Sequence, residues 1–150
     1  IGQGITGLFA RDRVSANDKA FVEEVIATTG QSLWLDAEEQ LDVVTALSGS
    51  GPAYVFYFME AMTLAGTEMG LSREQTHQLA VATFTGASAL AQSSTDSPQV
   101  LRQRVTSKGG TTYAALTSME ASGVKAAFVQ AMQAAQTRAA ELGDEFGTPA

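Results

Sequence analysis

Apolar residues recur along this chain with two different periods, and the pattern changes near residue 36. Before that point, residues 1–10 (IGQGITGLFA) mix Ile, Thr and Phe with glycines, which reads as a strand or an irregular extended segment. Ser15 is placed to cap a helix, and Phe21, Val22, Val25 and Ile26 form its apolar stripe as far as about Thr29. Gly30 is expected to end that helix by adopting positive φ. QSLWL then reads as a short strand, with Trp34 anchoring it against a helix. The order strand, helix, strand is that of the closing unit of an α/β layer.

From Asp36 onward only helical periods are visible. Asp36 and Glu39 resemble a capping box, opening a helix to about Leu47. SGSGP is expected to break it, with Ser50 as the next cap and Pro52 in the first turn of a helix over about residues 52–69. AYVFYFMEAMTLA within it is apolar nearly all round, with Glu60 its only charge before Glu68. Such a helix is expected to be covered on several sides, in a core or a subunit interface, and Glu60 then needs a partner. Gly70 ends the run, and Ser72 with Gln75 forms a second capping box for a helix to about Gln92. After the loop SSTDSP, Pro98 opens a short helix to about Val105, and TSKGG turns the chain. Two further helices are predicted over about 112–121 and 124–142, with Gly123 between them and GDEFGTPA as a frayed tail. Met59, Met62, Met69, Met119 and Met132 read as packing residues. Ala126, Ala127, Ala131, Ala134 and Ala135 suggest a close helix approach between subunits. The chain is therefore predicted to be mainly α, with residues 1–36 as one part and residues 37–150 as an all-helical domain.

Composition narrows the function more than the fold. The chain has 9 Lys and Arg against 16 Asp and Glu, a net charge of −7, and its basic residues are scattered. That argues against nucleic acid as a partner. With 0 Cys, disulfides, thiolate zinc sites and a cysteine nucleophile are excluded. No metal site is expected around His77, the lone histidine, which reads as solvent-facing. No apolar run reaches the length of about 18 residues that a membrane span needs, so no membrane partner is expected, and the cytoplasm is the default location. The chain opens without Met and reads as starting in mid-protein.

Two glycine motifs carry candidate chemistry. Residues 2–7 spell G-x-G-x-x-G, the spacing of a dinucleotide-binding turn, which requires a strand before the first glycine and a helix near the third. Only Ile1 precedes it, and the first credible cap afterwards is Ser15, so an extended segment passing close to neighbouring backbone is the favoured reading. VTSKGGTTYAAL, residues 105–116, is more informative. Gly109 and Gly110 lie just ahead of a helix whose first turn holds Thr111 and Thr112. Unpaired amides and the positive end of the helix dipole there suit a carboxylate, and a threonine hydroxyl can hydrogen-bond or relay a proton. An ordinary helix cap is the alternative.

LRQRVTSKGGTTYAALTSMEASGVKAAFVQAMQAA resembles the signature region of the pyrroline-5-carboxylate reductases, and LDVVTALSGSGPAYVFYFMEAMTLAGTEMGL resembles the helical pair preceding it. The resemblance runs over about residues 14–142. It implies an NAD(P)-binding Rossmann-type domain ending within residues 1–36, followed by a helical bundle that forms an interlocked homodimer or larger ring. NAD(P)H would be bound mainly by an N-terminal domain upstream of these residues, where the family's cofactor fingerprint lies. Hydride transfer would reduce the C=N bond of 1-pyrroline-5-carboxylate to give proline, and the fragment alone would be inactive. The substrate carboxylate would sit on Gly109, Gly110 and Thr111, with Ser107 lining the loop. Thr112 would lie near the ring nitrogen as the catalytic candidate. Lys108 stands where the family usually has proline, and Ser97 where it often has histidine. Two other readings remain: the helical domain of a different Rossmann-type dehydrogenase, and a non-catalytic dimerisation module.

Overall fold

The computed structural model describes residues 2–147 of the chain. They fall into two compact units, one holding the first fifty-one positions together with those from Gln130 onward, the other Pro52–Val129.

In the first unit, strand β1 (Gly4–Leu8) leads to helix α1 (Ala16–Ala27) and returns to strand β2 (Gly30–Trp34). The strands pair in parallel, Gly4 opposite Gly30 through Leu8 opposite Trp34. Helix α1 starts where Ser15 was expected to cap it. The Ser15 Oγ accepts from the Asp18 amide at 3.2 Å, and the Ser15 amide donates to Asp18 Oδ2 at 2.9 Å. Its end differs from the expectation. The helix stops at Ala27, and the hydroxyls of Thr28 and Thr29 take up the carbonyls of Val25 and Ile26. Gly30 is instead the first residue of β2, where a Cβ would lie 2.0 Å from the Gly4 carbonyl oxygen. Trp34 does anchor its strand to α1: its indole N–H donates to Glu23 Oε1, and Lys19 Nζ lies 4.9 Å from the ring centre.

The hydrogen bonds from Ser15 hold the Asp18 carboxyl below its ordinary value of 3.8. A depressed folded-state value stabilises above the unfolded value and is lost as pH falls through the folded one. The stability deficit of Asp18→Asn against the parent is therefore expected to shrink in urea titrations stepped down from roughly pH 5 to pH 2. A deficit independent of pH would contradict the ionised cap.

The capping box expected at Asp36 and Glu39 does not form. Helix α2 (Gln40–Val44) begins later, because Gln40 Oε1 reaches back to accept from the amides of Asp36 and Ala37 at 2.9 and 3.2 Å. SGSGP interrupts the helix only at Ser50, immediately before the next helix begins at Gly51. Thr45–Gly49 widen into a π-turn in which the Ser50 amide donates to the Thr45 carbonyl at 2.8 Å. The Thr45 hydroxyl also draws on the Leu41 carbonyl at 2.9 Å, which loosens the ladder at this point.

Helix α3 (Gly51–Glu68) follows directly, then α4 (Arg73–Ser93), α5 (Pro98–Arg104), α6 (Thr111–Ala121) and α7 (Val124–Gly147). Gly70 turns the chain at φ 106°, and Ser72 with Gln75 forms the predicted capping box of α4. Within the second unit, Gly66 of α3 packs on Thr76 of α4, and Phe128 of α7 meets Tyr54 and Phe58 of α3 at 5.9 and 5.6 Å between ring centres. The predicted tail from Gly143 is helical as far as Gly147, and the rest of that tail lies outside the described residues.

The apolar face of α3 is not covered within one chain. Phe56 is 65% exposed, Tyr57 69% and Leu64 61%. Met69 at the helix end is 80% exposed, and Met62 and Met119 are also open, so these methionines do not fill a core of the single chain. Ala126, Ala127, Ala131 and Ala134 of α7 are likewise exposed. Among the described residues no helix is long and apolar enough to cross a membrane, and no group of His, Asp and Glu is arranged to hold a metal ion.

Candidate functional site

The loop between α5 and α6, together with the first turn of α6, holds every residue singled out for substrate contact. Helix α5 starts at Ser97, whose Oγ accepts from the Val100 amide at 3.4 Å, with Pro98 in the first turn. This serine therefore caps the helix. Arg104 at the other end of α5 pairs with Asp96, whose backbone amide donates to Ser94 Oγ at 3.1 Å, tying the helix end to the loop before it.

After Thr106 the chain turns sharply. Gly109 sits at φ 75°, a left-handed conformation that favours glycine. Gly110 is the N-cap of α6, at φ −80° and ψ 174°, and receives no side-chain cap. Its own amide donates to the Ser107 carbonyl at 3.1 Å, and its carbonyl accepts from the Ala114 amide at 3.1 Å. Among the described residues, the amides of Thr111, Thr112 and Tyr113 make no hydrogen bond. They open to solvent at the positive end of an eleven-residue helix. Gly110 caps the helix without a side chain, so an ordinary glycine cap and an anion site share this geometry.

Ser107 lies over this opening. A Cβ on Gly110 would meet Ser107 Oγ at 2.6 Å and the Ser107 carbonyl oxygen at 3.3 Å. A side chain at position 110 would make the Ser107 hydroxyl turn aside, and that hydroxyl stands at the edge of the helix head. Thr111 and Thr112 occupy the first turn, both exposed, so either hydroxyl is free to meet a ligand. Helix α6 begins at Thr111, one residue earlier than predicted. Lys108 is exposed and has no ion-pair partner among the described residues.

Arg102 of α5 donates to Glu120 of α6 at 3.3 Å, and Lys125 in the first turn of α7 donates to the same Glu120 oxygen at 3.3 Å. Lys125 first, then Arg102, holds the Glu120 carboxyl below its ordinary value. This bridge ties the helices flanking the loop, and sequence reasoning missed it because its members are not at helical spacing. A shallow cleft between α5 and α6 is lined by Arg102, Thr106, Tyr113, Leu116 and Thr117. Of the free-amide residues, it includes only Tyr113. A roomier cleft lies between α3 and α4, away from the glycine loop. His77 is exposed beside it.

The fit of a dinucleotide can be tested on β1. Gly4 and Gly7 are strand residues, and no helix begins after them until Ala16. The segment of residues 2–7 therefore makes no strand–turn–helix cradle for a pyrophosphate.

The family described as pyrroline-5-carboxylate reductase dimerisation matches residues 38–142. A pyrroline-5-carboxylate reductase of Pseudomonas aeruginosa is 48% identical over 145 residues, which cover 97% of this chain and 53% of that protein. The structure of a pyrroline-5-carboxylate reductase from Coxiella burnetii superposes with a TM-score of 0.89 at 40% identity, covering 94% of this chain and 52% of the other. A Plasmodium falciparum pyrroline carboxylate reductase crystallised with NADP bound superposes with a TM-score of 0.84 at 31% identity, covering 95% of this chain and 54% of that one. The chain spans about half the length of the curated relatives it matches.

Proposed function

Since this chain belongs to the pyrroline-5-carboxylate reductase dimerisation family, matched over residues 38–142, we propose that it is the dimerising, substrate-binding part of a reductase of 1-pyrroline-5-carboxylate. The boundary we assign falls after residue 36, with the strand–helix–strand before it as the end of a Rossmann-type domain and the helices after it as the bundle of a homodimer or larger homo-oligomer. NAD(P)H supplies the hydride in such a reaction and is held mainly by parts of the protein outside these residues. Nothing in β1 fits its pyrophosphate.

The residues of this chain act on the substrate. The amides of Thr111, Thr112 and Tyr113 bind its carboxylate through charge-assisted hydrogen bonds, aided by the dipole of α6. The turn made by Gly109 and Gly110 lets the carboxylate approach the backbone, and Ser107 Oγ closes its side. With the carboxylate so held, the ring nitrogen falls within reach of the Thr112 hydroxyl, which hydrogen-bonds it and helps deliver the proton that balances hydride addition at carbon. The observation that carries this reading is the uncapped amide cluster at Gly110 within a chain of this family.

Two measurements test it. Titrating the chain with proline is expected to shift the amide resonances of Gly109 to Tyr113, and no shift at saturation would favour a non-catalytic dimerisation module. In the full-length enzyme, Thr112→Val is expected to lower kcat by roughly tenfold or more while Thr112→Ser retains most activity. Unchanged turnover in the valine variant would remove Thr112 from the mechanism.

A further inference from the structure

The turn that delivers the chain to α6 does not need the lysine it carries. The Gly110 amide closes on the Ser107 carbonyl at 3.1 Å, and Gly109, third in that turn, sits at φ 75°. Among the described residues only glycines take positive φ, so Lys108 holds the second place at negative φ and the turn is of type II. Such a turn calls for glycine third and favours proline second. A long charged side chain in the second place adds nothing to that geometry. Ion pairing does not account for the charge either. Residues 94–125 hold Arg102, Arg104, Lys108 and Lys125 as cations, with Asp96 and Glu120 as acids. Arg104 takes Asp96, while Arg102 and Lys125 share Glu120. Lys108 is exposed and meets no acid among the described residues.

The lysine stands three residues before Thr111, whose amide is the first of the free ones. Three residues of chain span at most about 10 Å. That is close to the screening length of ~10 Å at 0.1 M salt, so an anion at the helix head feels the ammonium. Its flexible four-carbon stem lets the charge follow the ligand. The chain as a whole carries a net charge of −7, which opposes the approach of an anion. We infer that Lys108 is a cationic anchor for the substrate carboxylate, adding its charge to the amides of Thr111, Thr112 and Tyr113 and drawing the anion toward the turn. The inference rests on the reading of the helix head as the carboxylate site. It adds to that reading a residue that makes the site select for charge.

Steady-state kinetics of the full-length enzyme with 1-pyrroline-5-carboxylate test it at low and high salt. Lys108→Gln removes the charge, and Lys108→Pro removes it with the residue the turn prefers. Each is expected to raise KM about fivefold or more while kcat stays within about twofold. Lys108→Arg should keep KM within about twofold of the parent. Between 0.05 and 0.5 M sodium chloride, roughly one decade of salt, kcat/KM of the parent should fall severalfold, and that of the glutamine and proline variants distinctly less. A lysine that only shaped the turn would give a proline variant with the parent's KM and an unaltered salt response. Either result overturns the anchor. Gly110→Val in the same assay separates the two readings: if it raises KM while the Lys108 variants do not, the carboxylate site stands without its lysine. If none of these variants moves KM, both readings fail.

Discussion

A Gly110→Val change in the full-length enzyme is expected to lower kcat/KM for 1-pyrroline-5-carboxylate about 100-fold, chiefly by raising KM. The loss corresponds to ~3 kcal/mol, the scale of one or two hydrogen bonds to a charged group. The cause is local. A Cβ at this position lies 2.6 Å from Ser107 Oγ, so the serine must swing away or the turn must open. A branched side chain would also stand over the amides of Thr111 and Thr112. The backbone itself is not the obstacle, because φ −80° and ψ 174° suit any residue. That separates the position from Gly109, whose φ of 75° makes any side chain strained. Gly110→Ala should therefore show a smaller loss, and adding Ser107→Ala, which removes the clashing oxygen, should recover part of it. Steady-state kinetics with proline inhibition as a second readout distinguishes the cases. An unchanged KM in the valine variant would show that the carboxylate does not bind at the head of α6.

The parts of the fold legible in the sequence were those fixed by contacts within one turn. Ser15 and Ser72 each face a backbone amide three residues ahead, and both caps form. The head of α6 was legible for the same reason: paired glycines before threonines specify a turn and an uncapped helix start. Competition between neighbours was not legible. Gln40, and not Glu39, satisfies the amides behind it, its Oε1 accepting from Asp36 and Ala37 at once. Thr28 and Thr29 ended α1 before Gly30 could act. In SGSGP the chain widened a turn before leaving the helix at Ser50, later than a stop at the first glycine would have it. The face of α3 is exposed in the single chain, since a continuous apolar helix does not reveal whether its cover lies in the same chain. The bridge from Glu120 to Arg102 and Lys125 crosses two chain turns, where no spacing rule applies. At the candidate site, spacing and residue type pointed to an anion. The reading of that anion as a substrate carboxylate rests on the family resemblance.

Gly66→Ala is expected to destabilise the folded chain by about 2 kcal/mol, against the usual direction for this change in a helix. Alanine in place of glycine in a helix interior ordinarily stabilises by ~1 kcal/mol. Here the added Cβ falls 2.3 Å from Thr76 Cγ2 and 3.1 Å from its Cβ. Thr76 cannot yield cheaply. It is 3% exposed, and its Oγ1 donates toward the carbonyls of Ser72 and Arg73 at 3.1 and 3.0 Å, which pins its rotamer. The helices must then move apart, and overpacking of this kind costs roughly 1–3 kcal/mol beyond what propensity returns. Thermal melts should show a drop of roughly 4–8 °C for a domain of this size. Thr76→Ser supplies the second arm, removing the clashing methyl while keeping the hydroxyl that satisfies α4. Alone it should destabilise modestly through the lost methyl. Combined with Gly66→Ala it should be at least as stable as the serine variant alone, because the alanine then occupies the vacated space and its helix propensity is felt. Such a double-mutant cycle yields a coupling of about 1–2 kcal/mol only if the two helices touch at this pair. A Gly66→Ala protein melting at or above the parent, or additive effects, would mean that α3 and α4 do not meet there.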